Sequence, residues 1–443
     1  MDLAPIFKAY DIRGLSPQQL DESVAGAIGA AFGSFAAPGP VAVGRDCRLS
    51  SPGLAAAFMD GVAAGGVDAW DIGEVTTDLV YYVSGAESVA GAMITASHNP
   101  AEYNGIKLCL PGAAPVGEDS GLVAIRADAE SGVAPAQRRG EISVRDYRAA
   151  FVDHVMGVVG SDGFVELNVV CDAGNGMAGV VLEDIFSKMA PHLDGLYLEP
   201  DGTFPNHHPD PLRPENLVDL IERMRDIGAD VGVAFDGDAD RAFFVDDQRV
   251  PLSGSTTTAL VAEWFLAREP GAAIVHNLIT SRAVPETILR LGGRPIRTRV
   301  GHSYIKAVMA ESGAVFGGEH SGHYYFRDNF RADSGIMTMV VLLKVLSEAE
   351  MPLSELRRRY EPYAQSGEIN TEVGDTDAAL HNVAEAFKDG DIDYLDGVTV
   401  SWADRWLNVR ASNTEPVVRL NVEAADPAAV SDLVAAAKEA IAR

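Results

Sequence analysis

Short apolar runs that stop at small or charged residues and then give way to an amphipathic helical pattern recur along this chain, and that recurrence limits its fold more than any other feature. Val41-Ala42-Val43-Gly44 reads as a strand, 52–64 as an amphipathic helix and 67–73 as the next strand. The order repeats at 165–172, followed by a Gly-rich turn and a helix over 179–189, and again at 273–276, with helices over 281–291 and 303–311. Strands alternating with helices build βαβ units, and open α/β sheets present their functional loops at the carboxyl ends of the strands. The last segment breaks the pattern: strands over 367–373, 397–401, 406–410 and 417–423 and helices over 377–388 and 427–441 read as an α+β module with helices on one face. The expected boundaries fall near residues 145, 250 and 365.

A chain of 443 residues is too long for one core, which agrees with three or four domains. Its hydrophobic fraction of 47% and charged fraction of 22% are those of a soluble globular protein, and no apolar run is long enough to span a bilayer. The start, Met1-Asp2-Leu3-Ala4-Pro5, has no basic region and no apolar core, so a cytoplasmic location is expected. Cys47, Cys109 and Cys171 are far apart without C-x-x-C spacing, which speaks against a disulfide framework or a zinc site. A net charge of −29 excludes nucleic acid and an anionic membrane surface as partners, since both need clustered Lys and Arg. If the ligand is anionic, basic residues must be concentrated at its site against the global field.

Two motifs carry the chemistry. Thr95-Ala96-Ser97-His98-Asn99-Pro100 follows the apolar run 89–94 and displays the Ser97 hydroxyl at a sharp turn. Ser97 reads either as a nucleophile or as a helix cap, and the N–H groups of a helix start would also suit a phosphate. Asp236-Gly237-Asp238-Ala239-Asp240-Arg241 follows a second apolar run, 231–235, and sets three carboxylates at alternate positions. An EF-hand requires Gly at loop position six and Glu at position twelve, where this chain has Arg241 and Asp247. The remaining readings are a cage for a hard cation and a solvated acidic turn, whose carboxylates would repel one another without a cation. A serine able to carry phosphate, together with a carboxylate site for Mg²⁺, points to phosphoryl transfer. A phosphate adds a charge of about −1.5 to −2, so Arg241 and a nearby lysine are needed to offset it. Lys107 alone would read as a surface charge, but it closely follows the serine turn.

Two further segments read as ligand loops or as ordinary turns. Gly318-Glu319-His320-Ser321-Gly322-His323 offers donors and acceptors suited to sugar hydroxyls, or forms a polar hairpin turn. Arg410-Ala411-Ser412-Asn413-Thr414 offers a guanidinium, hydroxyls and an amide to a phosphate that is bound and not transferred, or forms a capped turn. Cys171 reads as a core residue, and Trp402 and Trp406 as packing.

Taken in order, these segments and Phe7-Lys8-Ala9-Tyr10-Asp11-Ile12-Arg13-Gly14, Tyr103 to Lys107, Asp172 to Gly176, Phe204 to Pro211, Gly301-His302-Ser303 and Arg410 to Pro416 resemble the α-D-phosphohexomutase superfamily, in particular its bacterial phosphomannomutase/phosphoglucomutase members. The resemblance implies three similar α/β domains with mixed sheets plus a C-terminal α+β domain, arranged around a central cleft. Residues 1–145 would carry the phosphoserine loop, 146–250 the metal loop, 251–365 the sugar loop and 366–443 the distal phosphate loop. It also implies that Ser97 is the phosphoserine and that Asp236, Asp238 and Asp240, with a phosphate oxygen on Ser97, hold Mg²⁺. Arg13, Lys107 and Arg241 would surround the transferring group, and Lys107, His323 and His302 are the candidates for acid and base. Tyr10, Glu319, Ser321 and His323 would contact the sugar, and Arg410, Ser412, Asn413 and Thr414 the distal phosphate. His207 and His208 would belong to a structural loop without metal.

The implied reaction interconverts hexose 1-phosphate and 6-phosphate, of mannose and of glucose, through a hexose 1,6-bisphosphate, in a monomer or homodimer. Phosphoglucosamine mutase, a phosphosugar phosphatase and a non-catalytic phosphosugar-binding protein are the alternatives. The Asp236 loop does not fit the D-x-D-G-[TV] pattern of aspartate-nucleophile phosphatases, and a protein that only binds would be expected to have lost Ser97 or an aspartate. Two features depart from the family pattern: Cys47 stands where relatives often have Gly, and 276–281 lacks a basic residue that many relatives carry there; His320, in the sugar loop, varies among relatives, which leaves the sugar preference open.

Overall fold

A computed structural model describes residues 2–411 and 417–443, with His302 described in its backbone alone. Four sheets follow one another along the chain. In the first, strands run in the order Ile12–Leu15, Tyr103–Leu110, Ala90–Ile94, Val41–Arg45, Ala69–Glu74, Ile142–Val144. The second runs Ala242–Val245, Val231–Phe235, Asn168–Asp172, His192–Leu196, and the third Arg294–Thr298, Ala273–Asn277, Phe316–Gly318, Tyr324–Phe326. Each of these three combines parallel strands with antiparallel pairing, as mixed sheets do. The fourth is antiparallel, with Val417–Ala424 and Trp406–Ala411 at its centre and helices Thr376–Ala386 and Pro427–Ile441 packed on it. Its pairing already includes Ala364–Gln365.

Central strands such as Ala90–Ile94, Val231–Phe235 and Ala273–Asn277 are buried at every position, as expected for strands covered on both faces by helices. One apolar core runs through the first three units, from Met93 through Val233 to Ile336, whereas the C-terminal unit has its own. Helices Gly254–Arg268 and Gly335–Ala349 lie inside the shared core and are buried on almost every side, so neither shows the single buried stripe that marks a surface helix.

Several element ends differ from the sequence reading for identifiable reasons. The strand read over 67–73 is Ala69–Glu74, because the Val67 amide donates to Val62 O at the end of helix Ser51–Ala64. The strand read from 165 begins at Asn168, since the Val165 amide donates to Ser347 Oγ on a helix. The helix read to 189 stops at Phe186, where the Lys188 and Met189 amides turn back onto Ile185 and Phe186 in a tighter turn. Cys171 is fully buried, Trp406 is buried and Trp402 packs edge-on against Phe387. Among the described residues no helix is long and apolar enough to cross a membrane.

The units are stitched together around the segment 236–241. The Thr77 amide of the first unit donates to Asp238 O, Gly335 N of the third donates to Ala239 O, and Arg241 bridges to His323. Gly335 has no room for a side chain: a Cβ would lie 2.6 Å from Arg241 O and 2.7 Å from Ala239 O. Gly335→Ala is therefore expected to cost about 1–3 kcal/mol by overpacking and to weaken any divalent-cation binding at the 236–241 loop as well. Urea unfolding and Mg²⁺ titration of the same sample check both effects.

Candidate active site

Three loops converge here, and all three are the same kind of connection. Each leaves the carboxyl end of a parallel strand and returns as an antiparallel one: residues 95–102 between Ala90–Ile94 and Tyr103–Leu110, 236–241 between Val231–Phe235 and Ala242–Val245, and 319–323 between Phe316–Gly318 and Tyr324–Phe326. The helix-cap reading of Ser97 is thereby corrected: a return strand, Tyr103–Leu110, follows it and not a helix. Ser97 instead adopts left-handed backbone, φ 51°, a conformation that costs a non-glycine residue roughly 1–2 kcal/mol. The segment 318–323 is a hairpin turn as well as a candidate ligand loop.

Ser97 Oγ donates to Asp236 Oδ2 at 2.7 Å and lies 3.1 Å from His98 Nδ1. Asp236, Asp238 and Asp240 are all buried, which removes the reading of a solvated acidic turn. Lys107 is equally far from a surface charge: its Nζ donates to Asp238 Oδ2 at 2.6 Å and to Asp240 Oδ2 at 2.5 Å. Arg241 Nε donates to Asp236 Oδ2 at 2.9 Å, and Thr77 Oγ1 to Asp238 Oδ2 at 2.7 Å. Arg13 is held by Asp11 and Asn99, each at 2.5 Å.

These neighbours set the charge states. Burial pushes the Asp236 carboxyl up to about 8, against the pull of Arg241 and with the help of Asp240 and Asp238. Burial would raise Asp240 too, but Lys107 and then His323 hold it down to about 2. Burial opposes the Lys107 charge, yet Asp238, Asp240 and Asp236 together hold its pKa above the usual lysine range. Lys107 is thus a fixed cation in this arrangement and not a ready proton acceptor. His98 is the reverse: burial, then Arg241, Arg13 and Lys107, hold its imidazole well below its usual range, so it is neutral.

The residues present fit a metal ion. One oxygen from each of Asp236, Asp238 and Asp240 lies within 4.8 Å of the others. Asp238 Oδ1 and Asp240 Oδ1 are buried without a hydrogen-bond partner among the described residues, as is Arg241 Nη2. Buried carboxylate oxygens left unpaired are costly, and a hard cation is the partner such a donor set takes. Asp240, His323 and Asp333 form a second cluster of the same tightness, with Lys306 2.8 Å from Asp333.

A cavity of about 180 Å³ opens beside the loops, lined by Tyr10, Arg13, Ser97, Lys107, Arg241 and His323 together with Asp11, Tyr81, His98, Asp240 and Asp333. Seven residues singled out from the sequence, Asp240 among them, therefore meet in one place. His323 Nε2 lies 3.6 Å from Asp240 Oδ1, and its Nδ1 lies 3.1 Å from Ser321 Oγ. Glu319 is placed differently: it is buried, Oε2 accepts from Tyr325 OH at 2.7 Å, and Oε1 accepts from Asn277 and from Gly301 N, both at 3.2 Å. Arg410 lies away from the cavity lining, paired with Glu368 at 2.9 Å. Ser412, Asn413 and Thr414 lie outside the described residues, and the His302 side chain does too. His207 pairs with Asp172 at 2.9 Å.

The sequence reading missed His98, Thr77 and Asp333. His98 had a local signal, being next to the serine. Thr77 and Asp333 had none, because only the packing of one unit on another brings them here.

Sequence models of the phosphoglucomutase/phosphomannomutase family match in order: alpha/beta/alpha domain I over residues 4–132, domain II over 149–249, domain III over 253–363 and the C-terminal domain over 368–440. The chain belongs to this family. Within it, a phosphomannomutase of Salmonella typhimurium is 39% identical over 429 residues, 94% of each chain. A Xanthomonas campestris protein described as phosphohexose mutases is 38% identical over 436 residues, 96% of each. The solved structure of a phosphoglucomutase/phosphomannomutase family protein from Burkholderia thailandensis superposes with a TM-score of 0.92 at 33% identity, covering 100% of this chain and 98% of that one. As a family member the chain is an enzyme of the hexose phosphate mutase class.

Because a cation binds the ionised carboxylate, Asp236 must lose its proton first. The affinity of the metal-free enzyme for Mg²⁺ is expected to rise about tenfold per pH unit below the Asp236 pKa and to level off above about 8. Calorimetric titration between pH 6 and 9, values chosen to bracket that pKa of about 8, checks the sign and the plateau.

Proposed function

We propose that this chain interconverts the 1- and 6-phosphates of mannose and of glucose through a phosphoserine at Ser97 and a hexose 1,6-bisphosphate. The observation that carries the reading is the Ser97 hydroxyl 2.7 Å from Asp236 Oδ2, at the edge of a buried carboxylate triad in which Asp238 Oδ1 and Asp240 Oδ1 have no hydrogen-bond partner among the described residues. Asp236, Asp238 and Asp240 would hold Mg²⁺, which supplies charge neutralisation for the phosphoryl group carried by Ser97.

Phospho-Ser97 transfers its phosphoryl group to the free hydroxyl of the bound hexose phosphate. The bisphosphate turns over within the cleft and returns its other phosphoryl group to Ser97. Arg13, Lys107 and Arg241 are cations fixed around the transferring group before the substrate arrives, so charge stabilisation needs little reorganisation during reaction. In the return step neutral His98 Nδ1, 3.1 Å from Ser97 Oγ, is placed to accept the Ser97 proton, since Asp236 is committed to the cation and to Arg241. His323, at the cavity wall beside Asp240 and Ser321, is placed to exchange protons with the sugar hydroxyls. Tyr10 and Ser321 supply sugar contacts, and Arg410 anchors the phosphate that is not being transferred.

Ser97→Ala removes the carrier while keeping every charged partner. Turnover of mannose 1-phosphate, glucose 1-phosphate and glucosamine 1-phosphate, assayed with Mg²⁺ and a trace of hexose 1,6-bisphosphate, is expected to fall by at least about 10³-fold, the scale on which loss of a nucleophile acts. Substrate binding by calorimetry is expected to persist. A rate near that of the unaltered enzyme would overturn the phosphoserine route, and exclusive turnover of glucosamine 1-phosphate would overturn the sugar preference.

A further inference from the structure

Arg48 is among the largest fully buried side chains of the described residues, with an exposure of 0%, and it lies in the connection between strand Val41–Arg45 and helix Ser51–Ala64, outside the cavity lining. A buried guanidinium needs an acceptor for each of its five N–H groups. Arg48 finds all five, and four are backbone carbonyls of the serine loop. Nη2 donates to Ser97 O at 2.8 Å and Asn99 O at 2.7 Å, Nη1 to Pro100 O at 2.7 Å and Tyr103 O at 3.0 Å, and Nε to Asp46 Oδ2 at 3.1 Å.

The loop's own bonds to its amides are Ser97 N to Thr95 Oγ1 at 2.9 Å and Asn99 N to Ala96 O and Tyr103 N to Pro100 O, each at 3.0 Å, and none of them satisfies the carbonyls of Ser97, Asn99 or Tyr103. Inward-facing carbonyls without donors would be costly, and Ser97 sits in left-handed backbone besides. The guanidinium grips the carbonyl of Ser97 while the hydroxyl of the same residue reaches Asp236. Arg48 is aimed in turn by Asp46, which also accepts from Ser51 Oγ at 2.5 Å, and it stacks 5.1 Å from the centroid of Phe204 in the second unit. A lysine has one ammonium on a flexible stem and cannot replace a planar fork with acceptors on two sides.

We infer that Arg48 is a positioning residue for phosphoryl transfer, clamping the 97–103 backbone so that Ser97 Oγ is held in line for attack. This rests on the reading of Ser97 as the phosphoryl carrier. An error of about 1 Å in a reacting group costs about 10²-fold in rate, so the loss is expected in kcat and in the rate at which Ser97 takes phosphate, with little change in KM.

The test compares Arg48→Lys, Asp46→Asn and a core control, Phe58→Leu, which loosens the first unit away from the loop. Each is assayed for kcat and KM on glucose 1-phosphate, for thermal midpoint, and for phosphate uptake from glucose 1,6-bisphosphate by intact mass. Arg48→Lys is expected to lose about 10²-fold in kcat and in phosphate uptake with KM within about threefold. Asp46→Asn, which leaves the guanidinium in place without its aiming carboxylate, is expected to lose less in the same direction, and Phe58→Leu only thermal stability. The inference is overturned if folded Arg48→Lys keeps its kcat, if Phe58→Leu at equal thermal midpoint loses as much, or if Arg48→Lys does not fold and Asp46→Asn is unimpaired. If the unaltered enzyme takes up no phosphate on Ser97, it is the carrier reading that fails, and the inference falls with it.

Discussion

The burial of three carboxylates where three sheets meet is the constraint on which the rest depends. Moving an ion out of water costs several kcal/mol even after relaxation, and such groups persist only when opposite charges and hydrogen bonds surround them. Here the compensation comes from all three α/β units: Lys107 and Thr77 from the first, Arg241 from the second and His323 from the third. The compensation is deliberately incomplete in a chemical sense, because Asp238 Oδ1 and Asp240 Oδ1 have no hydrogen-bond partner among the described residues. The domain junction and the site are thus one object, and whatever shifts the units also shifts the ligands.

The topology makes this convergence possible. A loop that passes from a buried parallel strand into an antiparallel return strand is anchored at both ends by sheet hydrogen bonds, so its side chains have little freedom to drift. Three such loops bring Ser97, the aspartates and His323 together. The Arg241–His323 bridge joins two of them directly, and the Ser97–Asp236 hydrogen bond joins the other pair.

Much of this was legible in the sequence because it is written locally. The apolar runs before Ser97 and Asp236, the alternate aspartates and the glycines of the sugar loop all have short-range signatures, and the alternation of strands and helices gave the α/β class. The return strands were harder to see: Tyr103–Leu110 follows a Ser-His-Asn-Pro turn that reads equally well as a helix start. Helices Gly254–Arg268 and Gly335–Ala349 escaped because a helix buried all round has no amphipathic period. Residues that act through other units, such as Thr77 and Asp333, carry no local mark at all. The hydrogen bonds that Glu319 accepts from Tyr325, Asn277 and Gly301 are also a property of packing, and they brace the sugar loop against the 301 turn.

The central claim is that the charge left over at this junction is made for a divalent cation beside a serine-borne phosphate. Locating Mn²⁺ by anomalous scattering in crystals of enzyme phosphorylated with glucose 1,6-bisphosphate tests it most directly. The account predicts one ion among Asp236, Asp238 and Asp240, with the phosphate on Ser97. An ion seated instead among Asp240, His323 and Asp333, or phosphate on any other residue, would contradict it.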